Sequence, residues 1–287
     1  MPTETINSPA DLELERAGFY WRARGDLRAL SSRALDEAGF ANAFSTRAGG
    51  VSPFPENDLN LAGFDEDAAE NIHENRRRFL SLLEGDWKLE ACWQVHGTQV
   101  RVARSTEEPA PDAVGESERC DALTTDLRRV LLGVKTADCV PVLLGDAPTG
   151  ACAAVHAGWR GTSRSIVARA LERMKDEYGT RAQDVVASVG PAALSCCYEV
   201  GAEVCEVFKE NFAAGADSLF TPTRDGHALV DLHEANRRQL VAAGVRAENI
   251  TLAPLCTMCR TDLFFSYRRE KKVHGRTGRL LGVVGRR

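Results

Sequence analysis

The sequence lacks the features of exported, membrane-spanning and nucleic-acid-binding proteins. None of its apolar runs reaches the length of about 18 residues that a transmembrane helix needs. Residues 1–5 (MPTET) have neither the basic segment nor the apolar core of a signal peptide. The formal net charge is −5, whereas nucleic-acid-binding domains usually carry a basic excess. We therefore expect a cytoplasmic protein with a disordered N-terminal tail and no membrane or nucleic-acid partner.

Histidine is scarce, and the cysteines do not form a disulfide framework. Six histidines without a His-x-His pair cannot supply the cluster of a multicopper oxidase. The nine cysteines are odd in number and irregular in spacing, so we expect most of them to be reduced and buried. The C-x-x-C of residues 256–259 lacks a second pair at zinc-site spacing, and the adjacent Cys196 and Cys197 do not supply one. We interpret all four as packing residues.

Hydrophobic patterning predicts an α/β protein. Short apolar runs typical of buried strands occur at residues 130–134, 140–144, 151–155 and 185–189. Further strands are predicted at 250–253, 264–267 and 280–284, and helices at 27–37, 71–83, 162–177, 198–212 and 232–243. Residues 105–118 are predicted to be a loop. Because strands and helices mingle without strict βαβ order, we expect a single-domain layered fold with a mixed β-sheet flanked by helices.

Three short segments place a histidine or a cysteine beside glycine or proline near a predicted strand end. They are residues 93–97 (WQVHG), 135–141 (KTADCVP) and 155–162 (VHAGWRGT). Thiolate and imidazole are preferred zinc ligands, and three protein ligands leave a fourth position for water or substrate. His96, Cys139 and His156 are therefore candidate ligands of a catalytic zinc. Their spacing matches no short zinc signature, and Cys139 in a valine-rich run could instead be a buried hydrophobe.

These segments, together with residues 44–52 (FSTRAGGVS) and 190–200 (GPAALSCCYEV), resemble the laccase-domain or polyphenol oxidase family. The resemblance runs from about residue 44 to residue 285. We accordingly divide the chain into a variable N-terminal extension, residues 1–40, and a catalytic domain, residues 41–287. In that family the positions of His96, Cys139 and His156 bind a catalytic zinc, and the resemblance implies the same role here.

The resemblance also implies an activity. Family members named purine nucleoside phosphorylase convert adenosine, inosine, guanosine or methylthioadenosine and phosphate into the free base and a ribose 1-phosphate, and adenosine deamination accompanies this reaction. Copper-dependent oxidation of phenols is a second implied activity, with copper in place of zinc. Editing of peptidoglycan precursors is a third, in which Cys139 would be the nucleophile of an amide hydrolase and His156 or His96 its base. A non-catalytic binding protein is the remaining alternative.

Four arginines are candidate contacts for phosphate or nucleoside. Arg47 precedes a glycine pair, and its guanidinium could grip phosphate in two places. Arg160 adjoins residues 161–163, where the predicted start of a helix could bind an anion or hold a simple N-cap. Arg76 on a predicted helix could point into the pocket, and Arg268 could close it.

Three residues with amide or carboxylate side chains are further candidates. Asn60 could bind ribose or base. Gln94 would share a strand face with His96 and could hydrogen-bond substrate. Asp138 precedes Cys139 and could orient a histidine ligand. The other histidines are assigned no catalytic role; they are His73, His227, His233 and His274.

Overall fold

The computed structural model describes residues 9–53, 58–62, 67–104, 119–212 and 215–287. In chain order, the described strands are β1 (Phe19–Arg24), β2 (Leu27–Ser32), β3 (Phe40–Ser45), β4 (Lys88–Ala91), β5 (Val100–Val102), β6 (Ala122–Thr125), β7 (Val130–Thr136), β8 (Val140–Asp146), β9 (Ala151–Ala157), β10 (Val185–Val189), β11 (Glu199–Gly201), β12 (Phe220–Pro222), β13 (His227–Val230), β14 (Ile250–Leu252) and β15 (Leu280–Arg286). The described α-helices are α1 (Pro9–Arg16), α2 (Arg33–Glu37), α3 (Ala69–Leu80), α4 (Trp159–Ser163), α5 (Ile166–Tyr178), α6 (Ala202–Asn211), α7 (Leu232–Ala242) and α8 (Tyr267–His274).

The predicted layered α/β architecture is confirmed, with the strands divided among several sheets. One six-stranded sheet has the order β1-β2-β3-β15-β7-β4, and a second has the order β14-β10-β8-β9-β6-β5. Both sheets are mixed, because β4 pairs parallel with β7, β14 with β10, and β5 with β6. A small antiparallel sheet has the order β11-β13-β12. None of the described helices is long and apolar enough to cross a membrane.

The central strand β8 shows why the middle of the sequence is so apolar. Successive side chains of a strand point to opposite faces. Val142 and Leu144 pack in a cluster with α5 and α7, whereas Leu143 packs in a cluster with β7 of the first sheet. Both faces of β8 are therefore buried, which produces a continuous apolar run rather than an alternating one.

Several predicted elements were wrong because tertiary pairing outweighed local composition. Residues 27–37, predicted as one helix, form β2, which pairs with β1 and β3, followed by α2. The helix predicted at 198–212 is β11 followed by α6. The strand predicted at 264–267 does not form, because α8 begins at Tyr267 with the Ser266 side chain accepting a hydrogen bond from Arg269 N. The helix predicted from residue 162 is two helices, α4 and α5, separated at Ser165, whose φ is +60°.

The N-terminal part of the described chain belongs to the first sheet. Leu30 of β2 pairs with Phe44 of β3, across the predicted boundary at residue 40. The division of the chain at that point stays a prediction. The predicted N-terminal tail and the predicted loop at 105–118 lie outside the described residues.

Candidate metal centre and active site

His96, Cys139 and His156 lie together, as a shared ligand role requires. Their ligand atoms are all within 4.8 Å of one another. Cys139 immediately precedes β8 and His156 belongs to β9, and antiparallel pairing of these strands places Pro141 opposite His156. His96 follows β4, and its ring meets the His156 ring edge-on with centroids 4.9 Å apart. The three side chains offer two imidazoles and one thiol to a single metal ion.

Asp121 holds two of these three residues in place, and the sequence did not reveal it. Its carboxylate is fully buried just before β6. Oδ1 lies 2.8 Å from His156 Nδ1 and accepts a hydrogen bond from the His96 backbone N–H at 2.9 Å. Oδ2 accepts the backbone N–H groups of Val95 and Gly97. The hydrogen bond at Nδ1 directs His156 Nε2 toward the centre, the arrangement typical of histidine ligands.

The charges at the centre favour a thiolate. Burial opposes ionisation of the Cys139 thiol, but the adjacent His156 and His96 imidazoles lower its pKa to about 6. Burial likewise opposes protonation of His156, yet Cys139 and Asp121 raise the His156 pKa to about 9. Hydrogen bonds from His156 and the backbone keep the pKa of Asp121 below its usual range, against the effect of burial. A metal ion binding here displaces the His156 proton, and the thiolate is already favoured.

The backbone around the centre is unusual in three places. His96 and Asp138 are two of the four described non-glycine residues with positive φ, at +59° and +84°. Such conformations are costly for side-chain-bearing residues and concentrate at functional sites. A Cβ on Gly158 would lie 2.9 Å from Cys139 Sγ and 3.3 Å from the His96 ring, so only glycine fits between the ligands.

The three residues line a cavity of about 550 Å³. Among the described residues that line it, aromatic rings and cationic side chains share the walls. The aromatic residues are Trp93, Trp159, Tyr198 and Tyr267, and the cationic ones are Lys135, Arg160, Arg268 and Arg279. Aromatic faces can stack on a planar base, and guanidinium groups can hold an anion. Arg160 and Arg268 were predicted to contact substrate, whereas Trp93, Lys135 and Trp159 lie within the three motifs but were assigned no role, because the motifs do not show which of their side chains face the cavity.

Four of the seven predicted substrate contacts line the cavity, namely Gln94, Asp138, Arg160 and Arg268. The Arg160 guanidinium lies 4.3 Å from the Trp159 ring centroid, and Arg268 donates to Glu199 O. Gln94 is engaged at both ends by the backbone of Lys135, at 2.7 and 2.8 Å. It therefore fixes the end of β7 rather than offering a free amide.

Asp138 is an anchor for the C-terminal segment rather than for a histidine. Its carboxylate accepts hydrogen bonds from the Thr257 hydroxyl at 2.7 Å, the Ser266 hydroxyl at 3.1 Å and the Arg268 backbone N–H at 2.7 Å. Burial raises the pKa of Asp138. The predicted role in orienting a histidine belongs to Asp121, because Asp138 and Cys139 point in different directions.

Arg47 and Asn60 do not reach the cavity. The Arg47 guanidinium pairs with Asp58 at 2.7 Å and with Glu270 at 2.8 Å, so two carboxylates already neutralise the charge predicted to hold phosphate. Asn60 Oδ1 accepts the backbone N–H groups of Ala62 and Arg279, at 3.2 and 2.8 Å. Both residues contact segments that form the cavity wall: Arg47 pairs with Glu270 of α8, and Asn60 binds the backbone of Arg279.

Arg76, Thr162 and Ser163 likewise donate hydrogen bonds to backbone carbonyls and do not line the cavity. Arg76 donates to Ala62 O at 3.3 Å and is not among the lining residues. Thr162 and Ser163 are fully buried and donate to the carbonyls of Ala157 and Arg160. Because α4 begins at Trp159, the prediction that residues 161–163 start a helix was wrong, and with it goes the geometric basis for an anion site or an N-cap there.

Comparison with known proteins identifies relatives of the whole fold. Residues 41–287 match the family described as multi-copper polyphenol oxidoreductase laccase. The purine nucleoside phosphorylase YlmD of Geobacillus stearothermophilus is 34% identical over 274 residues, which is 94% of this chain and 97% of that protein. The crystal structure of YlmD from the same organism superimposes with a TM-score of 0.84 at 32% identity, covering 94% of this chain and 99% of that one.

A second kind of relative carries a different activity in its name. Adenosine deaminase RL5, from an unknown prokaryotic organism, is 42% identical over 160 residues, which cover 56% of this chain and 61% of that protein. The relatives are thus named for two reactions of purine nucleosides. Both names denote enzymes that act on small molecules.

Proposed function

Because the chain belongs to the multi-copper polyphenol oxidoreductase laccase family, whose relatives include named purine nucleoside phosphorylases, we propose that it is a zinc-dependent purine nucleoside phosphorylase. Its substrates are purine nucleosides, namely adenosine, inosine, guanosine and methylthioadenosine, together with phosphate. Deamination of adenosine accompanies phosphorolysis. The observation that carries the proposal is the ligand group at the base of a cavity walled by both aromatic and cationic side chains.

The donor set fits zinc. One thiolate and two imidazoles are ligands that zinc prefers, and copper(II) accepts the same atoms less selectively. His96, Cys139 and His156 would hold the ion, and Asp121 would keep His156 in the tautomer that binds through Nε2. A zinc ion there supplies a Lewis acid to the base of the cavity. Three protein ligands are the number found in catalytic rather than structural zinc sites.

The cavity walls provide the two kinds of contact that phosphorolysis needs. The reaction joins a phosphate oxygen to the ribose C1′ and breaks the bond from C1′ to the purine nitrogen. Arg160 and Arg268 can fix phosphate and neutralise its charge. The rings of Trp159, Tyr198 and Tyr267 can stack on the purine. Orientation of both reactants in one small cavity is itself a large part of catalysis.

A phosphate-dependence assay tests the proposal. Purified full-length protein is incubated with inosine or adenosine, with and without phosphate, and the products are separated by chromatography. We expect hypoxanthine or adenine, with ribose 1-phosphate, only when phosphate is present. Release of the base at the same rate without phosphate would contradict a phosphorylase, and failure to consume either nucleoside would favour the hydrolase below.

A metal-independent amide hydrolase acting on peptidoglycan precursors is the second candidate, and one observation favours it. Cys139, His156 and Asp121 form a thiol–imidazole–carboxylate chain, the arrangement of cysteine hydrolases. A low pKa of Cys139 suits a nucleophile as well as it suits a metal ligand. The two candidates differ under chelation. A zinc enzyme loses turnover when its metal is removed, whereas a cysteine hydrolase keeps it.

Copper-dependent oxidation of phenols has less support. Among the described residues, the groups able to hold a metal include no more than two histidines. The remaining histidines of the chain lie in other segments: His73, His227, His233 and His274. A multicopper cluster needs more imidazole ligands than this centre offers. We therefore rank a copper-loaded form of the same three-ligand centre behind the zinc enzyme.

A further inference from the structure

Four cysteines from two distant loops meet at one point outside the cavity. Cys196 and Cys197 precede β11, and Cys256 and Cys259 follow β14. Their sulfur atoms all lie within 4.8 Å of one another. The distance from Cys259 Sγ is 3.6 Å to Cys196 Sγ and 3.2 Å to Cys197 Sγ. The spacing of the two pairs in the sequence had suggested separate packing residues, but the fold brings all four sulfur atoms together.

The sulfur atoms are close enough together to be ligands of one tetrahedral metal centre. With zinc–sulfur bonds of about 2.3 Å, the sulfurs of a tetrahedral thiolate site lie about 3.8 Å apart. Disulfides do not account for the group, because all four cysteines are free thiols in the structure. Burial in the core does not explain them either, because Cys196 and Cys259 are exposed. Their exposure also gives an ion a path from solvent.

Backbone hydrogen bonds hold both loops in this arrangement without help from the thiols. The Cys259 and Arg260 N–H groups donate to Cys256 O at 3.2 and 3.0 Å, closing a tight turn around the C-x-x-C. Thr257 N–H donates to Ala192 O at 2.9 Å and joins the two loops. The Leu194 N–H points at Cys256 Sγ from 3.5 Å, a contact that stabilises a thiolate.

We propose that Cys196, Cys197, Cys256 and Cys259 bind a second metal ion, a structural zinc held by four thiolates. Each ligand gives up its thiol proton to solvent when the ion binds. Four thiolates complete a tetrahedral zinc site, so this ion has no open position for substrate. The inference is independent of the proposed function, because none of the four cysteines lines the cavity.

The zinc would brace one wall of the cavity. Thr257, between the paired cysteines, donates to the Asp138 carboxylate at 2.7 Å, and Asp138 adjoins the ligand Cys139. Tyr198 follows Cys197 directly and lines the cavity. Arg269 of α8 donates to Met258 O at 3.2 Å. An ion joining the two loops therefore fixes the segment on which Asp138, Tyr198 and α8 depend.

Zinc stoichiometry of the full chain tests the inference. Protein is produced with added zinc, kept reduced, desalted and analysed by mass spectrometry of the metal. We expect two zinc ions for each wild-type chain and one for the double variant C196S/C259S. Cys205→Ser, on α6 outside both groups, is the matched control and should retain two. The variant C139A should lose the other ion and retain this one, which separates failure of this inference from failure of the proposed function.

A cobalt spectrum of the wild-type protein covers the case in which the double variant does not fold. Cobalt(II) bound by four thiolates gives strong sulfur-to-metal charge-transfer absorption, well above that of a centre with one thiolate. We expect C139A, which retains all four cysteines, to keep most of this absorption. One equivalent of metal in the wild type that C139A loses and C196S/C259S keeps, or two equivalents in folded C196S/C259S, would overturn the inference. A disulfide among the four cysteines of the reduced, zinc-supplied protein would also overturn it.

Discussion

Replacing Asp121 by asparagine should weaken the metal centre while all three ligands remain. Each carboxylate oxygen accepts two N–H groups: Oδ1 faces His96 N and His156 Nδ1, and Oδ2 faces Val95 N and Gly97 N. The amide of asparagine has one oxygen and one NH₂ group. Whichever way it turns, its NH₂ group faces two donors, and two N–H groups that are partly or fully buried lose their acceptor.

The magnitude follows from those two lost acceptors. An unsatisfied buried donor costs about 1–3 kcal/mol, and at most one of the two donors is fully buried, so Asp121→Asn should lower the free energy of unfolding by about 1–3 kcal/mol. Loss of a carboxylate partner to a histidine ligand typically weakens metal binding about 10- to 100-fold. Both effects should appear together, because the same carboxylate fixes the His96 loop and the His156 ring.

Two assays separate this reasoning from general destabilisation. Zinc affinity is measured by competition with a chelator, and stability by urea unfolding of the metal-free protein. Asp146→Asn is the matched control, since Asp146 is also buried but lies at the far end of β8 and contacts Thr149. We expect the control to keep wild-type zinc affinity. Folded D121N with wild-type zinc affinity would refute the assigned role of Asp121.

Three further changes probe the centre, the cavity wall and the core. Cys139→Ala should lose zinc from the centre and turnover together, while circular dichroism shows a retained fold. Cys205→Ser should lose neither, and full turnover by C139A would contradict a ligand role. Arg160→Ala should raise the KM for phosphate about tenfold or more, because charge-assisted hydrogen bonds are worth about 1.5–3 kcal/mol. Arg164 is an exposed arginine outside the cavity, and an equal rise in KM in Arg164→Ala would show that the effect is not local. Burial lowers the pKa of His233 from 6.5 to about 4, and its Nε2 lies 2.9 Å from Gly190 O. As the pH falls from about 6.5 toward 4, the unfolded chain binds a proton at His233 that the folded protein does not bind. The free energy of unfolding in urea should therefore fall by up to about 3 kcal/mol, and His233→Gln should not show this fall. Parallel pH curves for both proteins would argue against this.

His96, Cys139 and His156 could be singled out from the sequence as candidate metal ligands because each lies in a short motif, and Cys139 and His156 lie at strand ends. Cys139 and His156 adjoin β8 and β9, and hydrophobic runs located both strands correctly. Strand ends are rigid and adjoin open loops, so a ligand type at such a position is informative. The motifs did not reveal that three ligands meet, which depends on the antiparallel pairing of β8 with β9.

Asp121 shows what sequence patterns miss. It stands alone before a short strand, and nothing near it in the chain marks it as functional. Its role arises because β6 pairs with β9, with Ala122 opposite Val155, which brings its carboxylate to His156. A prediction of that strand pair would have found it, since a buried carboxylate opposite a histidine is a recognisable signal.

The structure departs from the phosphate contact predicted for Arg47 for a related reason. Arg47 has the motif context of an anion-binding residue, yet Asp58 and Glu270 reach it from elsewhere in the chain. The four cysteines are the opposite case. Cys196 and Cys197 lie about 60 residues from Cys256 and Cys259 in the sequence, and only the fold brings the two pairs together. In both cases long-range contacts determine which groups each side chain meets, and the local amino-acid composition does not reveal those contacts.

The central claim is that the ion at His96, Cys139 and His156 is needed for phosphorolysis. The most direct test removes metal with a chelator, returns zinc in steps, and measures zinc bound and hypoxanthine released from inosine with phosphate at each step. We predict that the metal-free protein is inactive, that C139A stays inactive at every step, and that wild-type turnover rises in proportion to the zinc that the wild type binds in excess of C139A. Full phosphate-dependent turnover by the metal-free protein would contradict the account.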